Sequence, residues 1–212
     1  MIEMQPIKSF QAGDELVAYL DTRGNLRVYD GKQRKDITNL NVSYQVSDHL
    51  MGYMIGPTLN MWDNGRLQTL TYFGRKFVVK DSLIVYDDTR FNTLNVYWKK
   101  QTETLATIIG EVTIPASIGE DMIVFKDNGN LYKVFHDGNT QEICAWNGNI
   151  DFQIGTQILC FNDPTTQTFV VYENGQFSDV EGQFMRKYKA GRGFIVYEDL
   201  NANLWLYKNG VK

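Results

Sequence analysis

Few residues in this chain have types and spacings that could support catalysis or metal binding. Its two histidines, His49 and His136, fall in predicted turns, with no metal-ligand spacing and no recognisable nucleophile near them in the sequence. The two cysteines, Cys144 and Cys160, lie in apolar stretches, so we expect reduced thiols that pack as small hydrophobes. We therefore predict no catalytic residue, no cofactor and no metal site built on these side chains.

Four acidic residues hold the same position of an internal repeat and could form a weak cation site. They are Asp14, Asp48, Asp81 and Glu120, each four residues after an apolar anchor. Thr156 and Arg192 hold that position in the last two copies. If these turns surround one mouth of a central channel, the acids could attract a cation or a basic partner. The alternative, which we favour, is that they are solvated turn residues.

Arginine and aromatic residues recur in the loops predicted at the opposite end of the repeat. These residue types anchor protein interfaces and stack on sugars or planar ligands. The residues that the repeat assigns to this loop face are Arg23, Phe73, Arg75, Arg90, Phe91, Trp146 and Arg186. We predict a binding face from them, the alternative being scattered loop residues that close gaps between sheets.

The repeat that must position these candidates is an apolar run ending in an aromatic residue. It occurs six times, at residues 16–19, 50–53, 83–86, 122–125, 158–161 and 194–197. Nine residues before each final aromatic lies another apolar anchor: Phe10, Tyr44, Phe77, Ala116, Phe152 and Tyr188. The anchors predict a strand A and the runs predict a strand B. Because each run is apolar on both faces, we expect strand B to be covered on both sides.

Turn and strand signals follow each run in a fixed order. An Asp stands two residues beyond the aromatic in five copies, where it can accept a hydrogen bond from the backbone two residues on. A strand C follows and ends on an aromatic, and in five copies Asn-Gly or Asp-Gly then predicts a tight hairpin. The third copy has Lys99-Lys100 there. The last strand, D, is the most polar, as suits an outer edge.

The sixth copy lacks a strand D, and the start of the chain offers a substitute. Ile2 lies eight residues before Phe10, a spacing typical of strand D and the next strand A elsewhere in the chain. We therefore predict that residues 1–5 form the missing strand, which places the sixth copy beside the first and closes a ring.

Four-stranded antiparallel units repeated in this way resemble the blades of the β-propeller superfamily, and the resemblance covers the whole chain. We predict an all-β fold: a single domain over residues 1–212, forming a six-bladed β-propeller with its ring closed by the N-terminal strand that completes the last blade. No signature of a named propeller subfamily accompanies the repeat. With about 35 residues per blade the loops must be short, since named propeller repeats are longer.

Composition narrows the partner classes. A net charge of -4 and a pI near 5.2 make no case for nucleic acid, which requires clustered Lys and Arg. No apolar run is long enough for a membrane helix, so we expect no membrane insertion. The first residues have no signal-peptide core. We favour an exported or periplasmic protein with its signal removed, and a cytoplasmic one if Met1 is native.

Three function hypotheses remain open. The first is a monomeric, non-enzymatic scaffold that binds a protein or peptide partner, because a rigid repeat with short loops presents surfaces well. The second is a carbohydrate-binding, lectin-like propeller that uses Tyr and Trp. The variation of loop residues between copies argues against this hypothesis, because equivalent sugar sites would need the same residues in each copy. The third is an enzyme acting on glycosides or lactones, for which no cluster of acids or histidines can be assembled from the sequence.

Overall fold

All six apolar runs form strands of antiparallel sheets, as the repeat predicts. The computed structural model describes residues 3–40, 42–115 and 117–212. These residues form 22 strands in six sheets, with no helix. The chain divides into two compact units, Met1–Ile114 (the N-terminal unit) and Pro115–Lys212 (the C-terminal unit). The predicted single domain over residues 1–212 stays a prediction.

The N-terminal unit contains three four-stranded sheets whose strands pair in sequence order. Sheet 1 comprises β1 (Ile7–Ala12), β2 (Val17–Asp21), β3 (Leu26–Tyr29) and β4 (Arg34–Thr38). Sheet 2 comprises β5 (Ser43–Val46), β6 (Leu50–Ile55), β7 (Thr58–Asp63) and β8 (Arg66–Thr71). Sheet 3 comprises β9 (Phe77–Lys80), β10 (Leu83–Asp88), β11 (Thr93–Trp98) and β12 (Gln101–Thr107). Each sheet therefore has the predicted order A, B, C, D.

The C-terminal unit contains two three-stranded sheets and one four-stranded sheet. Sheet 4 comprises β13 (Met122–Lys126), β14 (Leu131–His136) and β15 (Asn139–Ala145), with a single bridge from Ile118 to Ile123 in place of strand A. Sheet 5 comprises β16 (Gln153–Ile154), β17 (Ile158–Asp163), β18 (Thr168–Glu173) and β19 (Gln176–Glu181). Sheet 6 comprises β20 (Lys187–Ala190), β21 (Ile195–Glu198) and β22 (Leu204–Tyr207). Ala116, the predicted strand A anchor of sheet 4, lies outside the described residues.

The predicted turn chemistry is confirmed. Each Asp that follows a strand B aromatic accepts a backbone N–H two residues on, at 2.7 to 2.9 Å; these are Asp21, Asp88, Asp127, Asp163 and Asp199. Asn64 and Gly65 both have positive φ, as a tight hairpin of the Asn-Gly type requires. Lys99 and Lys100 adopt the same left-handed conformation without a glycine.

The core of each unit lies between neighbouring sheets. In the N-terminal unit, Ala18 and Val28 of sheet 1 pack with Met51 and Trp62 of sheet 2. The opposite face of sheet 2 packs on sheet 3 through residues such as Met61. Strand B is thus buried on both faces, as predicted, since each sheet separates two cores. In the C-terminal unit, separate clusters join sheet 4 to sheet 5 and sheet 5 to sheet 6.

Both cysteines are free and buried in the C-terminal unit, which confirms the expectation of reduced core thiols. Burial raises the pKa of Cys144 to about 11 and also raises the pKa of Cys160. Since the thiolate is the reactive form, neither side chain is suited to nucleophilic chemistry.

The structure differs from the prediction at the start of the chain. Met1 and Ile2 lie outside the described residues, and residues 3–6 are not in a strand. Sheet 6 has three described strands and no fourth beside β22. Closure of the ring by the N-terminal strand therefore stays a prediction.

Candidate functional site

Two loops of the N-terminal unit are joined by the buried carboxylate of Asp87. Its Oδ1 accepts the backbone N–H groups of Arg75 at 2.7 Å and Lys76 at 2.9 Å, and its Oδ2 accepts Arg75 Nε at 3.1 Å. The side chain of Asp87 has no solvent exposure. Burial of a carboxylate is costly unless its oxygens are paired, so these three donors hold the loop at 72–76 firmly against the end of β10.

The residues that follow Asp87 extend this anchoring. Asp88 Oδ1 accepts the backbone N–H of Arg90 at 2.9 Å, and Asp88 Oδ2 accepts the hydroxyl of Thr71 at 2.7 Å. Thr89 donates its backbone N–H and its hydroxyl to the carbonyl oxygen of Phe73, each at 2.8 Å. The loop at 72–76, which joins sheet 2 to sheet 3, is therefore tied by hydrogen bonds to the loop at 88–92, which joins β10 to β11.

These anchored loops carry four exposed side chains that we name the aromatic-arginine cluster: Tyr72, Phe73, Arg90 and Phe91. Arg90 Cζ lies 5.4 Å from the ring centroid of Phe73 and 5.2 Å from that of Phe91. Tyr72 and Phe91 are 65% and 62% exposed. A cation held against two aromatic rings is favourable, and large exposed aromatics on a fixed backbone are typical of protein interfaces.

The structure thus brings together Phe73, Arg75, Arg90 and Phe91, four of the residues predicted for the loop face. Two members of this region were missed from the sequence. Tyr72 could have been found as the aromatic neighbour of Phe73 in the same loop. Asp87 carries no such signal, because it directly follows the strand B aromatic and is indistinguishable from an ordinary strand residue.

The other predicted binding residues have separate surroundings. Arg23 is exposed in the loop after β2, where its backbone N–H donates to Asp21 at 2.9 Å. Arg186 is exposed just before β20, and its N–H donates to the carbonyl oxygen of Glu198 at 3.1 Å. Their membership of one loop face with the aromatic-arginine cluster stays a prediction.

Trp146 lines an open pocket of the C-terminal unit. The pocket has a volume of about 360 Å³ and is lined by Gly129, Asn130, Ala145, Trp146, Asn147 and Gly148. The indole packs directly over Gly148, where a side-chain carbon would lie 2.6 Å from Trp146 Nε1. Tyr132 donates its hydroxyl to the carbonyl oxygen of Gly148 at 2.9 Å, which fixes this glycine beneath the indole. An exposed indole beside amide groups can stack on a sugar ring.

Two of the four acidic turn residues, Glu120 and Asp81, contact neighbouring side chains within their own unit. In the C-terminal unit, Glu120 accepts a hydrogen bond from the hydroxyl of Thr156 and pairs with Arg192 at 3.5 Å. In the N-terminal unit, Ser47 donates its hydroxyl to Asp81 at 3.3 Å. The repeat register thus identified three side chains that meet, Glu120, Thr156 and Arg192, although Glu120 was predicted to be a solvated turn residue. That Asp14, Asp48, Asp81 and Glu120 share one channel mouth stays a prediction, because Glu120 belongs to the other unit.

Within residues 3–40, 42–115 and 117–212, no group of three or more His, Cys, Asp or Glu side chains is placed to hold a metal ion. No helix capable of spanning a bilayer occurs in the part of the chain that the structure describes.

The repeated antiparallel sheets are blades of a β-propeller. The chain belongs to the family described as the 10-bladed beta propeller domain, whose model matches residues 1–212. The described residues of this chain form six sheets.

Several solved propellers are similar to the chain at low identity. Prp20p from Saccharomyces cerevisiae is 10% identical, with a TM-score of 0.47 over 95% of this chain and 71% of that one. Hsv2 from Kluyveromyces lactis is 10% identical, with a TM-score of 0.44 over 96% and 74%. The CRINKLY WD40 ectodomain of the receptor kinase ACR4 from Arabidopsis thaliana is 9% identical, with a TM-score of 0.43 over 95% and 81%. No curated protein matches the chain.

Proposed function

We propose that this protein is a non-enzymatic interaction scaffold that binds a protein or peptide partner through the aromatic-arginine cluster. The observation that carries the proposal is the combination of exposed aromatic side chains with a backbone fixed by Asp87, Asp88 and Thr89. Rigid anchors bind well because little conformational entropy is lost when the partner docks. Arg and aromatic residues are also the types that dominate binding energy at interfaces.

A peptide display library selected on the wild-type protein tests this proposal. We expect selected peptides to bind with micromolar affinity, and the double variant Arg90→Ala/Phe91→Ala to weaken binding at least tenfold. Both side chains are exposed, so the melting temperature of the variant should stay close to that of the wild type. Trp146→Ala is the matched control, because it removes an exposed aromatic from the other unit. Equal binding by wild type and double variant would refute the proposed site.

A carbohydrate-binding function is the second candidate, and the Trp146 pocket is the observation that favours it. The loop residues vary from one copy of the repeat to the next, which argues against the multiple equivalent sites of a repeat lectin. A glycan array separates the two candidates. Glycan binding that is lost in Trp146→Ala and kept in Arg90→Ala/Phe91→Ala would favour the lectin, and peptide binding with the reverse dependence would favour the scaffold.

We also propose that the chain is a single six-bladed domain, monomeric in solution, whose ring is closed by residues 1–5 acting as strand D of sheet 6. A repeated contact supports this. The hydroxyl of Tyr197 donates a hydrogen bond of 2.7 Å to the carboxylate of Glu181. Glu181 is the last residue of strand D of sheet 5. Tyr19, which holds the same repeat position, donates to Glu3 at 3.2 Å, and both pairs are 16 residues apart. Glu3 thus contacts sheet 1 as the end of the preceding strand D contacts sheet 6, which supports the proposed closure.

Glu3 is held firmly in that place. It accepts the N–H of Gln5 and pairs with Arg27 at 2.7 Å and Arg34 at 3.2 Å. The backbone N–H of Gln5 is the main cause that lowers the pKa of Glu3 to about 2, so the carboxylate stays charged. Apolar side chains on the outer faces of sheets 1 and 6 give further support. Phe10 is 66% exposed and Leu204 is 75% exposed, and neighbouring blades would cover them.

A cysteine pair tests the closure. Glu181 pairs with Phe169 in sheet 5, and Leu204 holds the corresponding position in sheet 6, so the proposal places Glu3 opposite Leu204. Cysteines at these two positions should form a disulfide within one chain, because opposite residues of paired strands lie within bridging distance. Glu3→Cys combined with Leu67→Cys is the control, since Leu67 lies on sheet 2. Only intermolecular disulfides, or none, would contradict the closed monomer.

A further inference from the structure

The guanidinium of Arg90 has hydrogen-bond donors that its two ring contacts do not satisfy. An arginine side chain carries five N–H donors in a planar fork. The rings of Phe73 and Phe91 attract the charge but offer no lone pairs to these donors. Among residues 3–40, 42–115 and 117–212, no hydrogen bond or ion pair of the Arg90 side chain is found, in contrast to Arg75, which pairs with Asp87.

The acidic residues nearest in sequence are already engaged by other donors. Asp88 accepts the N–H groups of Arg90 and Phe91 with one oxygen and the hydroxyl of Thr71 with the other. Asp87 is buried and holds the neighbouring loop. The fork of Arg90 is therefore available to an acceptor that comes from outside the chain.

We propose that the aromatic-arginine cluster recognises a peptide that carries a carboxylate, from Asp, Glu or the chain terminus, beside an apolar side chain. This inference rests on the proposed function and names its partner. A planar guanidinium binds a planar carboxylate through two parallel hydrogen bonds, a geometry that an ammonium lacks. Phe91 offers an exposed ring beside that fork, and Tyr72 is an exposed ring next to Phe73 in the chain, and such rings suit an adjacent apolar side chain.

The charge around the cluster favours a single carboxylate over a polyanion. Asp88 lies in the same loop as Arg90, and Glu111 lies 3.9 Å from Arg75 and 3.8 Å from Lys76. With a net charge of -4 for the whole chain, extended phosphate backbones would be repelled. A peptide with one acidic side chain matches the single available guanidinium of Arg90.

The test compares peptides selected on the wild-type protein with the same peptides in which the acidic residue is replaced by its amide, Asp by Asn or Glu by Gln. We expect this change to weaken binding to wild type about tenfold and to have little further effect on the Arg90→Gln variant, because the same contact is removed twice. Arg90→Lys should recover only part of the affinity, since it keeps the charge and loses the fork. Arg66→Gln is the control for loss of an exposed arginine elsewhere in the unit.

The outcomes separate this inference from the function on which it rests. If amide and acid peptides bind equally well, and both are lost in Arg90→Ala/Phe91→Ala, the cluster is a peptide site that does not read a carboxylate, and the inference fails alone. If phosphopeptides or anionic vesicles compete at lower concentrations than acidic peptides, the inference also fails. If neither peptide depends on the cluster, the proposed function fails with it.

Discussion

Gly155→Ala is expected to destabilise the C-terminal unit more than any other substitution of a single hydrogen by a methyl group. A side-chain carbon at residue 155 would overlap the carbonyl oxygen of Gly191 and lie 2.8 Å from its carbonyl carbon. Both are backbone atoms, so no rotamer change relieves the overlap. The two turns are also fixed by the bridge between Thr156 and Arg192 and by the hydrogen bond from the N–H of Gly193 to the carbonyl oxygen of Thr156. We expect a loss of about 3 kcal/mol in the free energy of unfolding.

Urea denaturation of Gly155→Ala and Gly182→Ala measures this effect. Gly182 lies in the same unit, and a side-chain carbon there would meet nothing within 4 Å. Neither glycine is among those with positive φ, so the two variants differ in the space available and not in backbone strain. Equal stability of the two variants would show that the turns between strands A and B do not approach as closely as described.

Asp87→Ala is expected to lower the free energy of unfolding by about 3 kcal/mol and also to abolish peptide binding. The change removes the acceptor of two backbone N–H groups and the partner of Arg75, and buried donors left without an acceptor are costly. The loop at 72–76 would then lose the contacts that fix Phe73 beside Arg90. Asp87→Asn should have an intermediate effect, because one amide oxygen can still accept from Arg75 and Lys76.

Asp36→Ala is the matched control for this second prediction. Asp36 also pairs with an arginine, Arg27, at 2.8 Å, but its side chain is 72% exposed. Exposed ion pairs contribute little, so we expect a change below about 1 kcal/mol and unaltered peptide binding. Thermal unfolding and peptide titration of the three variants check both expectations. If Asp87→Ala unfolded at the same temperature as Asp36→Ala and bound the peptide equally well, the carboxylate of Asp87 would not hold the aromatic-arginine cluster in place.

Regular features of the fold were predictable because they depend on short-range physics. The fixed offset from Phe77 to Tyr86 reflects two strands joined by a tight turn, and these two residues pair directly in sheet 3. The carboxylate of Asp127 is similarly local, since it accepts the N–H of Gly129 two residues on. Such patterns need no knowledge of how sheets pack.

The candidate site was predictable only in part, because it is formed by packing between sheets. Phe73 lies in the loop between sheets 2 and 3, and Arg90 lies in the loop between β10 and β11. The repeat could place both on one loop face but could not show that their side chains meet. The role of Asp87 follows from its burial, which a single sequence does not reveal. His136 was predicted in a turn, yet it ends β14, and its Nε2 lies 3.6 Å from Asp121, just before the neighbouring strand β13. Its Nδ1 lies 3.4 Å from the hydroxyl of Tyr172, a contact that arises between sheets 4 and 5.

Hydrogen exchange of the wild-type protein, with and without a saturating selected peptide, is the decisive measurement for the aromatic-arginine cluster, because it locates the bound partner on the chain. We expect slower exchange at backbone amides of residues 72–76 and 88–92 and unchanged exchange in the turns at 13–15 and 47–49. Protection confined to those turns, or to the C-terminal unit, would contradict a binding site built on Phe73, Arg90 and Phe91.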